Sequence, residues 1–374
     1  MRKYVFKKAW KRAVMAAMDA VGSALFYFYK MVRKKGKSKR ILVVRLDQLG
    51  DMIQALPFFS ELRRQNSGYE IHALCVKDCA FLLKNNPDVD AVHEMSRSWF
   101  YPERKRSAKE LEETAAKLRK LEFEKAYDLR GDIRNINYLV RINAGSIYGY
   151  GCAGGGFMLD KEYPYDRDMH EIDKNLRLLN SKAPDTLRMD FYCSQADIDA
   201  AAGIINKNAA QQARRIIVHP FTRAASKMWG LEKFNALIQR IADAGNTKVF
   251  VVGGKDDVRL AGKIRFSENV INCIGELPLG VTIALIKQCG IFVGNDSGPQ
   301  YFAAYSGLKT CVIYGYTVNY KRWMPKIPAV NMADISVPVE CGPCEKSVCD
   351  NKAGHKCMEL ITVDMVWDRI KGWF

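Results

Sequence analysis

The stretch Ile41-Leu42-Val43-Val44-Arg45-Leu46-Asp47-Gln48-Leu49-Gly50-Asp51 decides the fold. Four apolar residues in a row, three of them β-branched, read as a short strand buried on both faces. Arg45 ends the run, and Gly50 and Asp51 stand where a tight turn meets a helix start. Residues 52–65 then repeat Ile53, Leu56, Phe59 and Leu62 at helical spacing. A buried strand running into an amphipathic helix opens a parallel β-α unit.

Outward from that unit the alternation continues. Residues 69–76, Ala91–Met95 and 125–129 read as strands, and 78–83 and 108–121 as helices. A Gly-rich loop at 149–156 and a helix over 171–180 follow, and 181–192, with Pro184, read as a linker. The pattern then restarts, with strands at 215–218, 248–252, Val270–Ile274, 290–293 and 310–314. Helices intervene at Leu231–Ala242, 281–287 and 299–306. The spacing predicts an α/β chain of two Rossmann-like domains, 40–185 and 186–374, behind a leader, 1–39. Their parallel sheets are expected to face a central cleft, with ligands at the carboxyl ends of the strands.

A chain of 374 residues suits two such domains, and 48% hydrophobic with 26% charged residues is ordinary globular composition. The net charge of +17 is uneven. Residues 1–40 hold thirteen Lys/Arg against one acid, Asp19, which leaves only +5 for the other 334. The body therefore lacks the basic footprint of a nucleic-acid binder, and no nucleic-acid partner is expected.

The leader, residues 5–32, reads as an amphipathic helix flanked by cations and carrying Trp10, Phe26, Tyr27, Phe28 and Tyr29. Asp19 near the middle of the 13–29 stretch argues against a span, since a central carboxylate costs about 2.5–3.5 kcal/mol in a membrane. The expectation is a helix lying on the membrane surface, with a short span or a helix packed on the protein as alternatives.

Three strand-end loops carry the chemistry. At Asp51 a helix cap competes with a general base facing the cleft, a carboxylate already ionised at pH 7. In residues 220–230, Thr222, Arg223, Ser226 and Lys227 pair two cations with two hydroxyls, suited to a pyrophosphate. In residues 293–299, Ser297 and Gly298 precede Pro299, so a phosphate at the helix start competes with a simple cap. Arg130, Asp132 and Arg134 follow a strand end, and Arg97 and Arg104 lie in another loop; these arginines suit an acceptor bearing carboxylates or phosphates.

Seven of the eleven cysteines sit in apolar surroundings and read as reduced core residues. The other four, Cys341, Cys344, Cys349 and Cys357, crowd together near His355. That density fits a structural zinc or Fe–S site, with a disulfide or reduced thiols under a loop as alternatives.

Taken together the motifs resemble the ADP-heptose:lipopolysaccharide heptosyltransferases, glycosyltransferase family 9. The R-L-x-x-L-G-D motif is matched by Arg45–Asp51, the Leu-Pro by Leu56-Pro57, and S-K-x-W by Ser226–Trp229. G-x-D-[ST]-G is matched by Gly294–Gly298, Tyr-Gly by Tyr314-Gly315, and a C-terminal cysteine run by Cys341–Met358. The resemblance covers about residues 40–370. It implies an inverting GT-B transferase needing no cofactor for catalysis, with an ADP-sugar donor and a lipid-linked saccharide acceptor. It further implies a cytoplasmic enzyme, peripheral on the inner face of the membrane. By that analogy Asp51 is the base and Lys227 neutralises the leaving diphosphate. Thr222, Ser226, Asp296, Ser297, Gly298 and Asp257 (or Asp256) meet the donor, and Arg45, Gly50, Arg130 and Arg134 the acceptor. One departure bears on the donor sugar: Tyr301 stands where the family commonly has His. A GT-B transferase or epimerase using another nucleotide sugar, and a non-catalytic nucleotide-sugar binder at the membrane, remain alternatives.

Overall fold

The computed structural model describes residues 3–6, 8–32, 36–96, 108–317, 319–352 and 354–374. The chain divides into two units, Met1–Ala183 and Pro184–Phe374. Arg97, Arg104 and part of the basic run after the leader helix lie outside the described residues.

Unit 1 holds six parallel strands, β1 (Ser38–Arg45), β2 (Glu70–Val76), β3 (Ala91–Met95), β4 (Phe123–Asp128), β5 (Ser146–Gly149) and β6 (Lys161–Glu162). Their order across the sheet is β3-β2-β1-β4-β5-β6. The Ile41–Val44 run is fully buried, as a parallel strand covered on both faces must be. Unit 2 repeats the plan with β7 (Arg214–His219), β8 (Thr247–Gly253), β9 (Val270–Ile274), β10 (Ile291–Asn295), β11 (Lys309–Ile313) and β12 (Met332–Ile335). Its order is β12-β11-β10-β7-β8-β9.

Each order is that of a Rossmann sheet, reversing direction between its first and fourth strands. The reversal falls between β1 and β4 in unit 1 and between β7 and β10 in unit 2. Connections to either side leave a crevice at the carboxyl ends of those strands, where ligands of such sheets bind. The α/β architecture expected from the sequence is therefore present twice.

Three local expectations differ. The helix expected over 52–65 is two helices, Leu49–Ile53 and Leu56–Gln65. Pro57 lacks the amide that would continue the ladder, so the chain breaks at Gln54 and Ala55. Helices Ile133–Arg141 and Gln195–Asn208 arise where no element was expected. The leader forms the helix Ala9–Val32, but it packs one face on unit 1 through Asp19, which is buried. Among the described residues no helix is long and apolar enough to cross a membrane.

Candidate active site

In unit 1 the motif after β1 bends at Asp47 and enters the short helix Leu49–Ile53. Gly50 is that helix's second residue, so the sharp turn expected at Gly50 falls earlier. Asp51 is the third helical residue and not the cap; Gln48 caps, and its amide donates to Asp51 Oδ2 at 3.3 Å. The other carboxylate oxygen faces Arg45 Nη2 at 3.3 Å.

Arg45 is the hub. Its guanidinium meets Asp47 at 2.9 Å, Glu171 at 3.3 Å and the Leu129 carbonyl at 2.7 Å. Asp47 also pairs with Arg130, and Glu171 with Lys174 at 2.6 Å. Three cations and three carboxylates thus balance at the carboxyl ends of β1 and β4. A buried charge without a partner would cost several kcal/mol, which is why so many are drawn together. Burial alone would strip charge from Arg45, but Asp51 and Glu171 hold it cationic. For Asp51, burial pushes the pKa up, Arg45 opposes, and Glu171 adds to the rise, so the net shift is upward. The Asp51 side chain keeps 20% exposure.

Arg45, expected at the acceptor, is buried among carboxylates, with Nη2 at 3.3 Å from Asp51 Oδ1. Arg130 is pushed down to about 10, first by burial and then by Arg45. Arg134 grips Asp132 with two bonds of 2.7 Å, and Asp132 caps the helix Ile133–Arg141. Asp128, between them, accepts from Gly131 N at 2.7 Å and Asn135 Nδ2 at 3.0 Å, and burial raises it to about 6.

In unit 2 the second and third motifs converge on the β7/β10 reversal. Lys227 Nζ lies 2.6 Å from Asp296 Oδ2. Asp296 Oδ1 accepts from Gln300 Nε2 at 2.8 Å, and Tyr314 donates to Gln300 Oε1 at 2.9 Å. Asn295 ties the loops together: it accepts from Trp229 N at 3.2 Å and donates to the Pro220 carbonyl at 2.7 Å. His219 Nδ1 faces the Val252 carbonyl at 2.9 Å and must carry the proton, so Nε2 accepts from Ser297 Oγ at 3.2 Å. Burial lowers the His219 pKa and keeps the ring neutral. Among the described residues the Ser297 and Gly298 amides meet no protein acceptor. Thr222 is half-buried nearby in sequence, and Asp257 turns back to accept from Gly254 N at 2.8 Å. Tyr301 is buried and stacks on Tyr305 at 6.3 Å.

Ser226 is held on three atoms by the cysteine-rich loop. Its amide donates to Ser347 O at 3.0 Å, its hydroxyl to Lys346 O at 2.6 Å, and its carbonyl faces His355 Nε2 at 2.8 Å. The loop therefore sets the position of Lys227. The metal cradle expected at Cys341, Cys344, Cys349 and Cys357 is not assembled. None of the four is in a disulfide; they spread from exposed Cys341 to buried Cys357, and His355 is turned to Ser226. Among the described residues no group of three or more His, Cys, Asp or Glu could hold a metal ion.

Sequence reading missed Asp47, Glu171, Lys174, His219, Asn295 and Gln300. Asp47 and Asn295 sit inside motifs already singled out, and His219 ends β7. Glu171 and Lys174 carried no signal, since only folding brings their helix to Arg45 from 126 residues away.

Residues 112–355 match the profile of glycosyltransferase family 9 (heptosyltransferase). The chain belongs to that family. Family 9 relatives include lipooligosaccharide heptosyltransferase 2 of Campylobacter jejuni, 31% identical over 154 residues. That match covers 39% of this chain and 47% of the relative, about half its length. Lipopolysaccharide heptosyltransferase 1 of Campylobacter coli is 21% identical over 316 residues, or 76% of this chain and 86% of that one. Among solved structures, the Escherichia coli ADP-heptose lipopolysaccharide heptosyltransferase II superposes with a TM-score of 0.71 at 17% identity. It covers 89% of this chain and 98% of its own, a likeness of fold.

Proposed function

We propose that this family 9 member transfers a heptosyl group from ADP-heptose to a hydroxyl of a lipopolysaccharide inner-core acceptor, with inversion at the anomeric carbon. Asp51 takes the proton of the acceptor hydroxyl. The hydroxyl oxygen forms the new bond to the anomeric carbon, and the bond from that carbon to the diphosphate breaks. ADP departs with the negative charge. Unit 1 carries the base, and unit 2 carries the groups for the departing anion: Lys227 and the Ser297 and Gly298 amides. Tethered cations and amides supply this stabilisation without a metal ion. Arg130 and Arg134 are the acceptor's anion contacts, exchanging part of their present carboxylate bonds for the substrate's. On this reading the enzyme works at the inner face of the cytoplasmic membrane, where a lipid-linked acceptor is presented.

What carries this reading is a pairing. Each charged motif residue stands at the reversal point of its own sheet beside a counter-ion, Asp51 at 3.3 Å from Arg45 and Lys227 at 2.6 Å from Asp296. The test is Asp51→Asn. Binding of ADP-heptose, followed by calorimetry, should be unchanged, while product formation falls about 10²–10⁴-fold, the range of a lost general base. Full transfer by the variant would remove Asp51 from the chemistry. A preference for UDP or GDP over ADP in wild-type binding would remove the donor assignment.

A further inference from the structure

The helix Ala9–Val32 has two unlike faces. Arg12, Met15, Asp19, Gly22, Phe26 and Lys30 recur at helical spacing on the side turned to unit 1. Asp19 Oδ1 accepts from Gly155 N at 2.9 Å, and Asp19 Oδ2 from Tyr4 Oη at 2.9 Å. Phe157 stands against Gly22, where a Cβ would come within 2.5 Å of its ring, and meets Phe26 edge-on at 5.7 Å. On the outer side Trp10, Val14, Met18, Val21, Leu25 and Phe28 form a continuous stripe along the helix. Trp10, Leu25 and Phe28 are 59%, 74% and 72% exposed.

Between Arg12 and Lys30 the one charged side chain is Asp19, and it points inward. An exposed helix face of this length with no charge is not a solvated surface. Its occupant is read from the flanks. Thirteen Lys/Arg in residues 1–40 would repel a second copy of the same segment and attract an anionic surface. We propose that this helix is a docking arm whose outer stripe sinks into the interface of an anionic bilayer, while Asp19 latches its inner face to the loop 151–156.

That loop has a second set of bonds. Ala153 N donates to the Gly131 carbonyl at 3.0 Å, and Cys152 Sγ lies 3.6 Å from the Arg130 carbonyl. The arm is thus tied through one loop to the Arg130 corner of unit 1, so docking holds that corner at a set height above the lipid. The inference rests on the membrane location proposed above and not on the sugar or the nucleotide.

The experiment is flotation of the full chain with phosphatidylethanolamine vesicles, with and without phosphatidylglycerol. Wild type should float with phosphatidylglycerol and weaken as salt is raised. Val21→Glu/Leu25→Glu should lower partitioning at least about tenfold, with far-UV circular dichroism and melting temperature unchanged. Lys8→Glu/Lys11→Glu should lower it about fivefold or more for each charge altered. Val330→Glu, an equally exposed apolar position of unit 2, should change nothing. Brominated lipid should quench a fluorescence component that Trp10→Phe abolishes. Equal flotation of the Val21→Glu/Leu25→Glu variant overturns the proposal. So does absence of flotation, including the case where sedimentation shows the variant splitting a dimer. Loss of sugar transfer with flotation intact would strike the enzymatic reading and leave the arm standing.

Discussion

In the proposed reaction Asp51 is a base tuned first by burial, against Arg45 and with Glu171. Its pKa is raised, so its base form is lost earlier on acidification than an exposed aspartate's would be. Transfer rate should be flat near neutrality and fall as pH drops through that raised value. Glu171→Gln removes the neighbouring negative charge, so the acid limb should move to lower pH, read from a pH–rate profile. At Asp128 the same burial acts on stability. Its carboxyl is raised to about 6 from a usual 3.8, so the folded state holds the proton more tightly than the unfolded one. This group therefore favours folding below about pH 4, and that contribution is lost as pH rises through 6, by at most about 3 kcal/mol. Urea titrations of wild type and Asp128→Asn from pH 4 to 7 should differ in slope by that group. In unit 2, Asn295→Ala would leave the Trp229 amide and Pro220 carbonyl unpartnered in a buried place. We expect a loss of about 2–4 kcal/mol, measured by urea unfolding, and weaker ADP binding.

At the scale of elements, strand ends position the site and a helix and a loop steady it. The helix carrying Glu171 and Lys174 supplies one of the three carboxylates around Arg45, together with the lysine that pairs with it. The cysteine-rich loop holds Ser226 on three atoms, which makes it a splint for Lys227. The leader helix meets the loop at Phe157 through Gly22, where an added Cβ would come within 2.5 Å of the ring and force it to move. Gly22→Leu should push the helix off Phe157 and expose residues 9–32 to limited proteolysis. The sheet of unit 1 lies elsewhere, so its hydrogen-exchange protection should not change. Protection of the segment equal to wild type would show that the contact does not hold the helix.

For the whole molecule, one sheet plan is used twice, and the proposed reaction gives each copy its own substrate. ADP is expected to bind the β7/β10 reversal, so it should slow hydrogen exchange in unit 2 and leave unit 1 near its free values. At a hundredfold excess over Kd it should add about 2.7 kcal/mol to the stability of the unit that binds it. Slowing confined to unit 1 would reverse the assignment of donor and acceptor. The two sheets, the three motif loops and the family were legible along the chain. Buried parallel strands write themselves as apolar runs, and catalytic loops follow them at short range. Asp51, Lys227, Asp296 and Ser297 were singled out on that basis, and the structure brings Lys227 to Asp296 and Asp51 to Arg45. Glu171, Lys174, Gln300 and the bonds of Ser226 were not, because each depends on a partner far off in sequence or on a helix whose register no local pattern states. Local order alone thus determined the β-α alternation, most of the buried strands and the residue types at their ends, since hydrogen bonding and apolar periodicity act over a few residues. Tertiary structure alone decided that Arg45 lies buried against Asp47, Asp51 and Glu171, that Asp19 is buried against Gly155, and that among the described residues the cysteines gather into no metal-holding group. Burial and charge pairing are set by whatever the folded chain brings within a few ångströms.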